Sequence, residues 1–226
     1  MTTRLIARAA AGALVLAVTC GPGVATAAAP TGTTTTVVLQ AATLAYGDTT
    51  KVTVSVDAVT NGPKPAGKVE LKIGDKILLA DVASSGKVDF DWPLLGASAT
   101  PYVVTASFVP TDAAAFSTSA SVPVNATVTK DATTSQPTLS HSLKRNKVVA
   151  KIAATSAHGQ VPTGKVKFVL RRNGIKVGSS VVGLSATGGA KAKFGNVPDS
   201  GTYKVIAKYL GSTNFAASKG TVTAAS

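Results

Sequence analysis

Beyond residue 30 the chain alternates apolar and polar residues with a period of two. Val52, Val54 and Val56 are separated by Thr53 and Ser55, and Val88, Phe90 and Trp92 by Asp89 and Asp91. Val148, Ala150 and Ile152 interleave with Lys147, Val149 and Lys151, and Tyr203, Val205, Ala207 and Tyr209 with Lys204, Ile206 and Lys208. Strict alternation gives each strand one buried and one wet face, which predicts antiparallel sheets. Groups such as Asn61-Gly62-Pro63, Gly188-Gly189 and Pro198-Asp199-Ser200-Gly201 punctuate the strands as turns. No run beyond residue 30 carries the 3.6-residue period of an amphipathic helix.

The strand pattern occurs twice. Pro65-Ala66-Gly67-Lys68-Val69-Glu70-Leu71 matches Pro162-Thr163-Gly164-Lys165-Val166-Lys167-Phe168, the run Tyr102 to Phe108 matches Tyr203 to Tyr209, and Phe116-Ser117-Thr118-Ser119 matches Phe215-Ala216-Ala217-Ser218. The offsets are 97, 101 and 99 residues, so the order of elements is kept and only loop lengths differ. Repetition at this period indicates two copies of one domain. About seven short strands per hundred residues is the count of an immunoglobulin-like sandwich. The expected fold is therefore all-β, two tandem immunoglobulin-like antiparallel β-sandwiches over residues 31–127 and 128–226. The Cys and Trp hallmarks of an antibody domain are absent, which leaves the general sandwich.

The Thr-rich first strand (Thr33 to Thr36), the Tyr46-Gly47-Asp48 turn and the Pro-x-Gly-x-Val strand start resemble the bacterial Ig-like repeat family. So do the Tyr-x-Val-x-Ala-x-Tyr strand and the turn ending Asn214-Phe215-Ala216-Ala217-Ser218. The likeness covers roughly residues 31 to 226. The second copy departs from it where Leu143-Lys144-Arg145 replaces the Tyr46 turn, and the first where Ala114-Ala115 precede Phe116. The resemblance implies secreted or surface-displayed modules serving as spacers, adhesive units or ligand-binding accessories, and it brings no catalytic residues.

Residues 1–29 read as a cleaved signal peptide: Arg4 and Arg8, an apolar run from Ala9 to Val18, a break at Pro22, and the small-x-small site Ala25-Thr26-Ala27. Gly21-Pro22 interrupts the run short of the ~20 apolar residues a membrane span needs, so no transmembrane segment is expected in the mature chain. Cys20 raises lipid anchoring as a minor alternative, with Ala17 and Thr19 where a lipoprotein signal wants a large aliphatic residue and a small one. No LPxTG-type sorting signal or hydrophobic tail follows the last strand-like run, so the expectation is a secreted protein, released or held non-covalently at the cell surface. Cleavage after Ala27 leaves no cysteine, and stability must then come from packing. The 226 residues, 45% of them apolar and 15% charged, suffice for packed cores and exclude a disordered chain, a coiled coil and a disulfide-stapled scaffold.

Charge separates the two copies. Residues 30–127 hold 6 Lys against 8 acids, and residues 128–226 hold 15 Lys and Arg against 2 acids. Strand parity points Lys147, Lys151, Lys191 and Lys193 outward from one sheet of the second copy, and Lys165, Lys167, Lys204 and Lys208 outward from the other. These eight are the candidate contacts for a polyanion, either anionic cell-envelope polymers or another surface protein. Solubility and protection of sheet edges explain the same lysines equally well. Phe168, Phe194, Tyr203 and Tyr209 fall on the inward parity, so the wet faces lack base-stacking platforms, which counts against nucleic acid. Asp89 and Asp91 align with Lys191 and Lys193, an opposite charge at like positions that gives weak contacts at most.

No constellation for catalysis is apparent, and no cofactor or metal is expected. The mature chain has His141 and His158 as its histidines, neither beside a partner motif, and both read as solvent-exposed bystanders. Asp131 and Asp199 are the acids of the second copy, in linker and turn contexts, too isolated for a glycosidase pair. Asp48 and Asp112 fit turn-capping carboxylates, and Asp89-x-Asp91 falls short of the six to eight oxygens calcium takes. Trp92 reads either as a core plug or, splayed outward by Pro93, as a platform for a glycan or protein ligand. The leading expectation is a non-enzymatic structural or adhesive protein. A ligand-binding module working through its loops and Trp92 is the alternative, and a hydrolase on an Ig-like scaffold a remote one.

Overall fold

The computed structural model describes residues 28–142, 146–198 and 200–225. The leader with Cys20, the segment Leu143-Lys144-Arg145, Asp199 and the side chain of His141 lie outside the described residues. No helix occurs among the described residues, and every regular element is a strand. The first set is β1 (Thr33–Leu39), β2 (Thr43–Ala45), β3 (Lys51–Ala58), β4 (Gly67–Ile73), β5 (Lys76–Asp81), β6 (Lys87–Asp91), β7 (Tyr102–Pro110), β8 (Ser119–Ala120) and β9 (Val124–Thr129). The second is β10 (Thr133–Ser142), β11 (Lys147–Ser156), β12 (Lys165–Arg172), β13 (Ile175–Gly183), β14 (Gly189–Phe194), β15 (Thr202–Tyr209) and β16 (Ser218–Ala225).

Each set makes its own two sheets. In the first, β1-β3-β6 faces a sheet ordered β2-β9-β7-β4-β5, with β8 beside β7. In the second, β10-β11-β14 faces β13-β12-β15-β16. Inward parity builds the cores. Val52, Val54 and Val56 from β3 meet Val69, Leu71 and Ile73 from β4 and Val104, Ala106 and Phe108 from β7. Val148, Ala150 and Ile152 from β11 likewise meet Val166, Phe168 and Leu170 from β12 and Tyr203, Val205, Ala207 and Tyr209 from β15. Each such aliphatic or aromatic side chain contributes about 1.5–3 kcal/mol by leaving water. The buried tyrosines keep their hydroxyls satisfied, Tyr203 donating to the Pro198 carbonyl and Tyr209 to the Thr163 carbonyl.

The two halves repeat even in their side-chain bonds. The Thr33 hydroxyl donates to the Ser117 carbonyl at 2.9 Å and Thr35 meets Ser119 at 2.7 Å. At the corresponding places Thr133 donates to the Ala216 carbonyl at 2.8 Å and Ser135 meets Ser218 at 2.6 Å. These bonds tie the first strand of each half to the run after its corresponding phenylalanine, Phe116 or Phe215.

One pairing departs from the expected antiparallel pattern. After Leu39 the chain leaves the β1 sheet, and β2 joins the opposite sheet by running parallel to β9, Leu44 opposite Val128. Three residues with a single buried side chain, Leu44, are too short a run to show a period in sequence.

Candidate functional site

The eight lysines singled out by parity are all exposed, and register places them in rows. On the three-stranded sheet Lys151 lies directly opposite Lys191, and Val149 opposite Lys193. On the four-stranded sheet Lys167 pairs with Lys208, and Lys208 in turn with Lys219, a residue the parity reading had not singled out. Arg171 stands between Lys176 and Lys204 on the same face. None of β12, β13, β15 and β16 contains an acidic residue.

Compensation of charge differs between the halves. In the first, Lys51 pairs with Asp91 at 3.1 Å, Lys68 with Asp81 at 3.0 Å, and Lys64 with Asp57, while Asp89 accepts the Thr53 hydroxyl at 2.6 Å. Among the described residues, no Lys or Arg of the second half enters an ion pair. Asp91 and Asp89 thus bond within their own sheet, Asp91 to Lys51 and Asp89 to the Thr53 hydroxyl.

The buried acid of the second half serves the joint between the halves. Asp131, in the link between β9 and β10, is fully buried, and its Oδ1 lies 2.7 Å from His158 Nδ1. Its Oδ2 accepts the His158 backbone N–H at 3.2 Å. On the other side of the ring, His158 Nε2 lies 2.7 Å from Asp48 Oδ1. The Asp48 carboxylate is oriented by its own turn, Oδ2 accepting the Ala45 N–H at 2.6 Å. His158 therefore bridges a carboxylate of the first half and one of the link, where the sequence suggested a solvent-exposed bystander.

The backbone explains why this ring fits. Asp131 occupies the place of Thr31: Thr31 bridges Phe116, and Asp131 bridges Phe215, with the same flanking backbone bonds. His158 follows Ala157, whose N–H bonds to Ala132 as that of Val59 bonds to Gly32. The Tyr46-Gly47-Asp48 turn inserts against this end. Tyr46 packs edge-on to Phe215 with ring centroids 5.3 Å apart, and a Cβ on Gly47, at φ +94°, would come within 3.1 Å of His158 Cβ. Asn214 Oδ1 accepts the Ala97 N–H at 3.0 Å, a second contact across the joint.

The charges follow from these partners. The hydrogen bond to Asp131 raises the His158 pKa above its ordinary value; partial burial opposes this and the nearby Asp48 charge adds to it. Burial by itself would raise Asp131, but the His158 ring and N–H, with the Ser156 hydroxyl beside them, hold the carboxyl below its ordinary value. Both ring nitrogens face carboxylates, so the protonated imidazole donates to Asp48 and Asp131 and ties the two together. Among the described residues no group of three or more His, Cys, Asp or Glu could hold a metal ion. Asp112 caps its turn, accepting the Ala114 N–H at 2.9 Å. Trp92 is 8% exposed and belongs to the first core, which buries the ring a ligand would have to stack on.

No protein-family model matches the chain, and no curated protein matches it either. Solved structures that align with the chain include a 1.5-MDa bacterial ice-binding adhesin (14% identity, 87% of this chain, TM-score 0.36). Others are a tetra-tandem repeat from the extending region of a large adhesion protein (15%, 85%, 0.49) and a Ca2+-stabilized adhesin of an Antarctic bacterium (17%, 88%, 0.36). The alignments span 64%, 49% and 49% of those chains. At TM-scores below 0.5 no role passes from them to this one.

Proposed function

We propose that the chain is a secreted or cell-surface, non-enzymatic adhesive or spacer protein. In this reading residues 1–29 are a leader, two immunoglobulin-like sandwiches follow in tandem, and they meet in the segment Lys130-Asp131-Ala132. The second sandwich tethers the protein to anionic polymers of a cell envelope. One observation carries the tether: in the first half three lysines pair with acids of the same half, whereas the second presents cations on both sheet faces and, among the described residues, none of its Lys or Arg enters an ion pair. Such a surface holds counterions that a polyanion releases on binding, so attachment should depend steeply on salt.

The test is co-sedimentation of the purified mature chain with isolated cell envelopes across a salt series. Binding that falls by tenfold or more between about 50 and 200 mM salt supports the tether. Binding indifferent to salt, or none at the lowest salt, reduces the basic charge to a solubility device.

A further inference from the structure

We propose that the outer face of the four-stranded sheet β13-β12-β15-β16, and not that of the three-stranded sheet, is the track for a linear polyanion, centred on the cross-strand row Lys167–Lys208–Lys219. This rests on the polyanion reading above and assigns it a surface. The row runs over three adjacent strands, Lys167 opposite Lys208 and Lys208 opposite Lys219. Neighbouring strands are about 4.8 Å apart, so three ammonium-bearing stems stand in line at that spacing. Lys165 flanks the row one step along β12, and Lys176, Arg171 and Lys204 form a second row nearer the other end of the face. Between the rows lie Ser179, Val169, Ile206 and Thr221, all uncharged.

Like charges placed directly opposite on paired strands destabilise a sheet. A surface shaped for solubility alone would stagger its lysines or intersperse acids, as the first half does with Lys68 and Asp81. The central Lys208 instead has a lysine on each side. A row kept under such repulsion is relieved when a chain of closely spaced anions lies across it. The three-stranded face has one opposed pair, Lys151 and Lys191, whose row continues to the uncharged Thr138. The fitting partner is a linear polymer with a negative charge every few ångströms, of phosphate or of carboxylate.

The full mature chain, its Lys208→Gln variant and a Lys151→Gln/Lys191→Gln variant are titrated with inorganic polyphosphate and with polygalacturonate, and thermal unfolding is followed with and without polymer. The two polymers distinguish phosphate from carboxylate as the preferred charge. The expected result is that Lys208→Gln unfolds at a higher temperature than the parent when no polymer is present. It also binds more weakly, its log–log salt slope smaller by about one. The double variant should keep the parent's affinity at low salt to within a fewfold. Loss confined to the Lys151→Gln/Lys191→Gln variant would overturn the track while leaving the polyanion reading intact. Failure of the parent to bind either polymer at low salt would overturn both. Lys208→Gln unfolding at a lower temperature than the parent would remove the repulsion on which the assignment rests.

Discussion

At His158 one ring holds three segments of chain, and its protonation decides how well. A neutral imidazole donates from one nitrogen only, so one of the 2.7 Å contacts to Asp48 and Asp131 loses its proton when the ring deprotonates. Because the pKa of His158 is raised on folding, its contribution to stability is complete below the ordinary histidine value of about 6.5 and is lost as pH rises through the raised one. Asp131 behaves in the opposite sense. Its lowered carboxyl contributes fully above about 3.9, and that contribution is lost as pH falls through the depressed value. The joint should therefore be tightest between those two ordinary values. NMR titration is expected to place the His158 midpoint above about 6.5 and to return it toward that value in Asp131→Asn. Asp131→Ala, which leaves the His158 backbone N–H without its acceptor, should cost about 1–3 kcal/mol. Should parent and His158→Gln lose stability in parallel as pH rises above neutrality, the joint is not pH-dependent. Tyr46, Gly47 and Asp48 were visible in sequence as a turn motif, and Asp131 and His158 as isolated residues. What brings them together is contact between the two halves, about which the period of a strand says nothing.

Among the strands, parity was enough to sort inside from outside. The buried positions of β3, β4, β7, β11, β12 and β15 and the exposure of the eight lysines all follow from alternation. Order within the sheets, and so the neighbour of each lysine, is a long-range property: Lys219 joins the row only because β16 pairs with β15. Trp92 lies one residue beyond β6, where the alternation could not decide between core and surface. Its burial supplies a probe, since it is the lone tryptophan and sits in the first core. Leu71→Ala should cost about 2–5 kcal/mol and move the tryptophan fluorescence transition, whereas Phe168→Ala, at about 3–5 kcal/mol, should move circular dichroism while leaving most of the fluorescence transition in place. A fluorescence transition that shifted equally with both substitutions would mean that the two cores unfold as one unit.

For the molecule as a whole, the two halves share one plan and divide their charge: three lysines of the first half pair with its own acids, and among the described residues no Lys or Arg of the second enters an ion pair. Where they are joined, the chain is held by backbone bonds on both sides of the link. Thr129 is held through its carbonyl by Tyr46, and Asp131 through both its N–H and carbonyl by the run around Phe215. Tension between the ends of the first half draws β2 backward and β9 forward along one direction, because these strands run parallel. The evenly spaced rungs of a parallel pair then bear that tension together and do not open one after another. Stretched from its ends, the first half should resist and then rupture in a single event, at a rate set by its unfolding barrier. Gradual extension at low force would show the rungs yielding in turn. The short strand β2, faint in the sequence, is thus expected to act as a mechanical clamp.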